Sequence, residues 1–256
     1  MKNFNDDLFR QAIFKTIRLW CTSEYQYSKD FKDAFTDWNE HKKYDLSDYS
    51  KNYRKFLHDY SIDRTRKHTT LNFKTNIVEN TDERIINDFF NLITISEGFE
   101  PKMVDDLAKK FKDNGYTTKK TSSDKDYVAT LPISLVSKTF FLYYPETVAL
   151  FDSRVTWAIT SILERKKTIG NYQEYFILFE KLKKDYKDLG LEVIFNYLPT
   201  IKNTIENFYT AQYKALNNIL DDTFMPFDIM NKPEWLFHRS LDKYLWIIPQ
   251  NKALLQ

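Results

Sequence analysis

Four glycines and seven prolines in 256 residues leave this chain with very little turn punctuation. An all-β domain needs a turn signal about every 8–12 residues, and glycine and proline supply most of them. Long helices are therefore the default. The predicted fold class is all-α, a multi-helix globular fold with eight or more helices and no sheet beyond an incidental hairpin. With 42% hydrophobic residues the chain can bury a sizeable core. We expect either one all-α unit over 1–256, or a subdivision into an N-terminal helical lobe, 1–75, and a helical core, 76–256.

Apolar spacing of three to four residues places the helices. Leu8, Phe9, Ala12, Ile13, Ile17 and Trp20 line one face of a segment running from Asp6 to Trp20, with Asp6 and Asp7 at the positive end of its dipole. A short helical piece is expected around Phe31 to Trp38. Ser47 can cap a helix carrying Tyr49, Tyr53, Phe56 and Leu57, whose aromatic stripe reads as core packing. Residues 62–80 show no period and read as a connection. Thr81 and Pro101 open two further helices, the second ending at Gly115 in the position after the cap. Asn171 opens a long helix that Gly190 should end, with Lys181, Lys183, Lys184 and Lys187 in its last turns. Pro199 to Leu220 and Pro233 to Ile248 complete the set.

Composition excludes several chemistries. The single Cys21 rules out an internal disulfide framework and a multi-cysteine metal site. His41, His58, His68 and His238 show no HExxH or paired-ligand spacing and read as scattered surface residues. No P-loop, dinucleotide-binding turn or GxSxG motif occurs. No metal, no cofactor and no nucleotide cofactor are expected. No apolar leader follows the basic start MKNF, and no run approaches about 18 apolar residues, so the expectation is a cytoplasmic protein without a membrane partner. A net charge of +2 neither proposes nor excludes nucleic acid.

Chemistry concentrates in the stretch from Thr130 to Arg154. Pro132 suits a helix start, and Leu135, Phe140, Phe141 and Leu142 make an apolar helix that Pro145 should close. Lys138 sits inside it. Asp152 and Ser153 are good caps for a helix from Arg154 to Lys166. A lysine near apolar surface can lose pKa and become a nucleophilic amine, and a carboxylate at a helix mouth can hold a proton or stabilise a cation. As a purely structural pair, Lys138 would snorkel with its amine in water and Asp152 would be a cap worth about 1 kcal/mol.

The residues Leu131, Pro132, Lys138, Thr139, Asp152 and Val155 resemble the helix-hairpin-helix DNA glycosylase superfamily. There a hairpin of the type LPGVGxKTA is followed by an apolar helix and an aspartate that opens the next one. The phrases SKTFFLYYPETVALFDSRV and RSLDKYLW also look like a group of small bacterial proteins distantly related to it. Ser134, Leu135, Val136 and Ser137 stand where the family has Gly-Val-Gly-x, and Lys138 and Asp152 are 14 residues apart. The resemblance implies two helical lobes flanking a cleft and a partner, duplex DNA, with one base flipped out. It implies an N-glycosylase for a damaged or modified base, associated with DNA repair or antiviral defence. Asp152 would activate the attacking group, and Lys138 could attack C1′ to form a Schiff base. Tyr143, Tyr144, Trp157 and Trp246 are the candidates for stacking on the base. Lys119 and Lys120 belong to a basic run with Lys109, Lys110, Lys112 and Lys125 that is either a solvated face or a phosphate-tracking edge. Arg154 and Arg239 are the remaining substrate-binding candidates.

Arg239 has two further readings, a surface ion pair with Asp242 or a core helix in which it pairs elsewhere. Arg54 and His58 fall short of the spacing of helical ribonucleases of the Arg-to-His kind. The alternative function is a non-catalytic helical module that binds DNA or a protein partner in a bacterial defence system.

Overall fold

The computed structural model describes residues 4–41, 46–60, 81–116, 118–120, 127–129, 131–204, 206–207 and 232–250. Their regular structure is helical apart from one short hairpin, so the fold is all-α. The helices are α1 (Asp6–Leu19), α2 (Tyr25–His41), α3 (Ser47–Asp59), α4 (Thr81–Thr94), α5 (Pro101–Asp113), α6 (Ile133–Tyr143), α7 (Ser153–Ile162), α8 (Tyr172–Asn196) and α9 (Pro233–Ile247). Strands β1 (Thr118–Lys120) and β2 (Tyr127–Ala129) pair antiparallel, with Lys119 opposite Val128.

The chain divides into two compact units. The first joins Met1–Gln26, Phe151–Gly170 and Glu174–Gln256, and the second comprises Tyr27–Leu150 with Asn171–Gln173. The lobe boundary expected between residues 75 and 76 lies outside the described residues.

Each unit is built on one helix buried on nearly every side. In the second unit it is α6, where Ile133 and all of Leu135–Leu142 are buried, as an all-round apolar helix must be. Around it Phe31 sits edge-on to Tyr49, Phe89 and Phe90, at 5.6, 5.2 and 5.2 Å between centroids. These tilted ring pairs are the favoured aromatic geometry, and the Tyr49, Tyr53 and Phe56 stripe is core as its spacing predicts. In the first unit the buried helix is α9, from Trp235 to Leu245. It packs on α1 through Phe9, whose ring lies 5.8 Å from Phe237 and 5.7 Å from Tyr244.

Local chemistry sets the helix ends. Asn5, one residue before the expected acidic start, caps α1 by accepting from the Leu8 N–H at 2.9 Å. Helix α5 closes with Gly115 at φ 69°, the Gly115 N–H donating to Lys112 O and the Tyr116 N–H to Phe111 O. That is the Schellman arrangement, with Phe111 against Tyr116 as its apolar clasp. Helix α7 stops by the same device at Ile162 rather than Lys166, although Glu164 takes the left-handed position at φ 51°. The start of α8 is capped from a distance. Asp105 accepts the Tyr172 and Gln173 N–H groups at 2.8 and 3.0 Å.

Three further expected boundaries are corrected. The piece around Phe31 to Trp38 is part of the longer α2, whose buried residues include Tyr27, Ser28, Phe31 and Ala34. Ser47 is the first residue of α3, and Leu46 occupies the cap position. Gly190 does not end α8, which runs on to Asn196. The four lysines before Gly190 are therefore mid-helix. Lys183 pairs with Glu180 and Lys187 with Glu234, and the C-terminal dipole has no part in placing them. The helix expected over Pro199 to Leu220 begins, with 198–204 and 206–207 helical, and its remainder lies outside the described residues.

Candidate functional site

A turn of π-helix, Trp20–Glu24, follows α1 without a break, closed by the Tyr25 N–H on the Trp20 carbonyl. Thr22 and Ser23 hydroxyls donate to the Arg18 and Leu19 carbonyls, loosening the α-helical ladder there. The wider turn buries both Trp20 and Glu24. The Glu24 carboxylate, 1% exposed, meets two cations of α9. Arg239 Nη2 donates to Oε2 at 3.2 Å, and Lys243 Nζ to Oε1 at 3.3 Å.

Arg239 is 0% exposed, with its Nη1 3.7 Å from Asp242 Oδ2. The surface-pair reading is therefore corrected, and the alternative, a core helix whose arginine pairs elsewhere, is what the structure has. The cause is that α9 is buried on all sides, so every charge it carries needs an interior partner. Burial pushes the Asp242 carboxyl above its ordinary value. Arg239 and Lys243 oppose that shift, and Glu24 and Asp152 add to it.

Asp152 lies at the entrance of α7, where its side chain caps the helix. Oδ1 accepts from the Arg154 N–H at 2.8 Å. Among the described residues no hydrogen bond reaches Oδ2. The side chain is half-buried, so this oxygen is neither sealed in the core nor fully at large in solvent. The Arg154 guanidinium lies 4.6 Å from the centroid of Trp246, and the Lys15 ammonium lies 3.7 Å from the same centroid. Burial holds the Lys15 pKa below its ordinary value, and Lys243 and Arg154 lower it further. Asp152, Arg154, Arg239 and Trp246 are thus brought into one unit with Lys15, Glu24 and Lys243, which the sequence did not single out. The signal for those three was weak. Lys243 follows Arg239 at helical spacing, whereas Glu24 depends on the π-turn.

Lys138 belongs to the second unit, on α6. Its side chain is 5% exposed, which corrects the snorkelling expectation. Its amine donates to Ser134 Oγ at 3.1 Å and lies 5.7 Å from the Tyr60 ring centroid. The helix is buried all round at this point, so no side of it offers the stem a path to water. Tyr143 and Tyr144 pack against each other at 4.8 Å, Tyr143 also edge-on to Phe35 at 5.1 Å. Trp157 is 38% exposed on α7. Lys119 and Lys120 lie in β1, and their side chains, like Lys125, are outside the described residues. Lys109, Lys110 and Lys112 are exposed on α5, Lys110 pairing with Asp88.

Other titratable groups have structural settings. Cys21 lies in the π-turn, where burial pushes its thiol up to about 11, away from nucleophilic use. His238 is buried with its ring 5.2 Å from Phe179, which corrects its reading as a surface residue. Arg54 is bound to the buried carboxylate of Asp82 at 2.8 and 3.0 Å. Among the described residues no group of three or more His, Cys, Asp or Glu converges as a metal site would require. Among them, too, no helix is long and apolar enough to cross a membrane. Searches found no matching family model, no matching curated protein and no matching solved structure.

Proposed function

We propose that the chain is a DNA N-glycosylase that excises a damaged or modified base flipped out of a duplex, with Asp152 as the catalytic carboxylate. The observation that carries this reading is the division of labour within Asp152. Oδ1 is fixed by the Arg154 N–H, and Oδ2 accepts nothing among the described residues. A general base needs both properties, a locked orientation and an oxygen left for its proton. In the reaction, Oδ2 takes a proton from a water whose oxygen bonds to C1′. The C1′–N bond breaks with its electron pair on the base, which leaves after protonation from solvent. Positive charge developing on the sugar is stabilised by the same carboxylate. The cations Arg154 and Lys15 supply the attraction for a polyanionic substrate.

Hydrolysis by water suits the setting of Lys138 better than imine formation. A lysine that is 5% exposed as a residue, with its amine donating to Ser134, is poorly placed to attack a sugar carbon. Borohydride should then trap no covalent protein–DNA adduct.

The test is base release from duplexes carrying diverse lesions and modified cytosines. Asp152→Asn keeps an oxygen for the cap and removes the base, so it should fold normally and release nothing. Equal base release by Asp152→Asn and wild type would remove Asp152 from the mechanism. A folded wild-type protein that releases no base from any duplex yet binds DNA or a protein would make the chain a non-catalytic binding module, with Asp152 a cap alone.

A further inference from the structure

We infer that Lys15 and Arg154, held on the shared ring of Trp246, form a binding site for the oxyanion of a phosphodiester. The inference deepens the excision reading and rests on it for the source of the phosphate. Three elements far apart in sequence, α1, α7 and α9, supply the three side chains. Both cationic groups lie within 4.6 Å of one ring centroid, so they stand at most about 8 Å apart, close enough for like charges to repel in a part-buried setting. Among the described residues neither Lys15 nor Arg154 makes an ion pair with a carboxylate. The Asp152 carboxylate, two residues from Arg154, accepts the backbone N–H of Arg154 rather than its guanidinium, and Glu24 is engaged by Arg239 and Lys243.

The face is also reachable. Arg154 is exposed, and Lys15 and Trp246 are half-buried. An aromatic ring attracts a cation only weakly, which holds the side chains in place without neutralising them. Two cations fixed on one support, without an ion-pair partner among the described residues and reachable from solvent, make an anion site. A phosphodiester fits it because its two non-bridging oxygens can each meet one cation, the guanidinium as a fork and the ammonium as a point charge. Burial, and after it the charges of Lys243 and Arg154, depress the Lys15 pKa, and a bound anion should raise it by opposing those charges.

The experiment follows the Lys15 side-chain resonance of wild-type protein through a pH titration, with and without inorganic phosphate at constant ionic strength. Binding of a short unmodified duplex is then measured against salt for wild type, Lys15→Met, Arg154→Gln and the charge-keeping Lys15→Arg and Arg154→Lys. Phosphate should raise the Lys15 midpoint. The two neutral variants should each bind duplex about tenfold more weakly with a salt slope smaller by about one, and the charge-keeping pair should stay within about threefold of wild type. A Lys15 midpoint that phosphate does not move would overturn the site without recourse to any variant. A midpoint that moves while the neutral variants bind duplex like wild type would assign the site to a free phosphoryl ligand and overturn the phosphodiester inference. Base release by wild type alongside either failure leaves the excision reading standing. No base release, with the Lys15 shift and the variant losses both seen, leaves the phosphodiester site standing alone.

Discussion

Gly190 lies so close beneath Phe237 that a β-carbon built on it would stand 2.3 Å from Cε2 of the ring and 2.5 Å from Cδ2. The glycine is a point where α8 lets the aromatic face of α9 approach its backbone, within the first unit.

Gly190→Ala therefore opposes two effects. Alanine gains about 1 kcal/mol of helix propensity over glycine, whereas overpacking a filled core costs about 1–3 kcal/mol. The ring is hemmed in by Phe9 as well, 3.1 Å from the same built atom, so the clash should win. We expect a net loss of about 1 kcal/mol, seen as a lower urea midpoint at unchanged slope. A midpoint at or above that of wild type would show that Phe237 can move aside freely.

Glu24, at 1% exposure, binds both Arg239 and Lys243. Removing one partner of a buried ionic cluster leaves charge uncompensated in low dielectric, at a cost of about 3 kcal/mol or more. Glu24→Gln should lose that much in chemical denaturation. Adding Arg239→Met should recover part of it, since the second change removes a stranded charge. Purely additive losses in the double variant would mean that the cluster is not coupled.

Asp242 sets a dependence on pH. Its folded carboxyl is raised above the ordinary 3.8, chiefly by desolvation, with Arg239 and Lys243 opposing and Glu24 and Asp152 assisting. A raised folded pKa means that the native state holds its proton more tightly than the unfolded chain does. The stabilising contribution is complete below 3.8 and is lost as pH rises through the folded value. Asp242→Asn imitates the protonated form at every pH. It should match wild type in acid and become progressively more stable than wild type as pH rises from there. A stability difference that stays constant across the titration would place the Asp242 pKa at its unfolded value.

Helix existence was legible because the cause is local. Leu8, Phe9, Ala12 and Ile13 repeat at the period of a helix, and Pro101 and Gly115 bracket α5 by conformations their own backbones prefer. Asp152 at the mouth of α7 was legible for the same reason, an oxygen two residues from the N–H it binds. What stayed hidden depends on distant chain. Glu24 and Arg239 are 215 residues apart, and nothing near either announces the other. Arg239 and Asp242 carry the spacing of a surface pair, and only the burial of α9 on every side turns them inward. Gly190 reads as a helix end until Phe237 is seen above it. Lys138 reads as a snorkelling residue because a single helix cannot reveal that all its faces are covered.

The cap that Asp105 places on α8 bears on the order in which the protein assembles. A helix normally carries its starting signal in the residues just ahead of it, so its first turn can form while the rest of the chain is still unfolded. Here the carboxylate that receives the Tyr172 and Gln173 N–H groups is 67 and 68 residues upstream. Closing a loop of that length costs entropy that only later contacts repay. The protection of the first turn of α8 thus depends on a residue of α5, and Asp105→Ala should speed amide exchange at Tyr172 and Gln173 while leaving the middle of α8 unchanged.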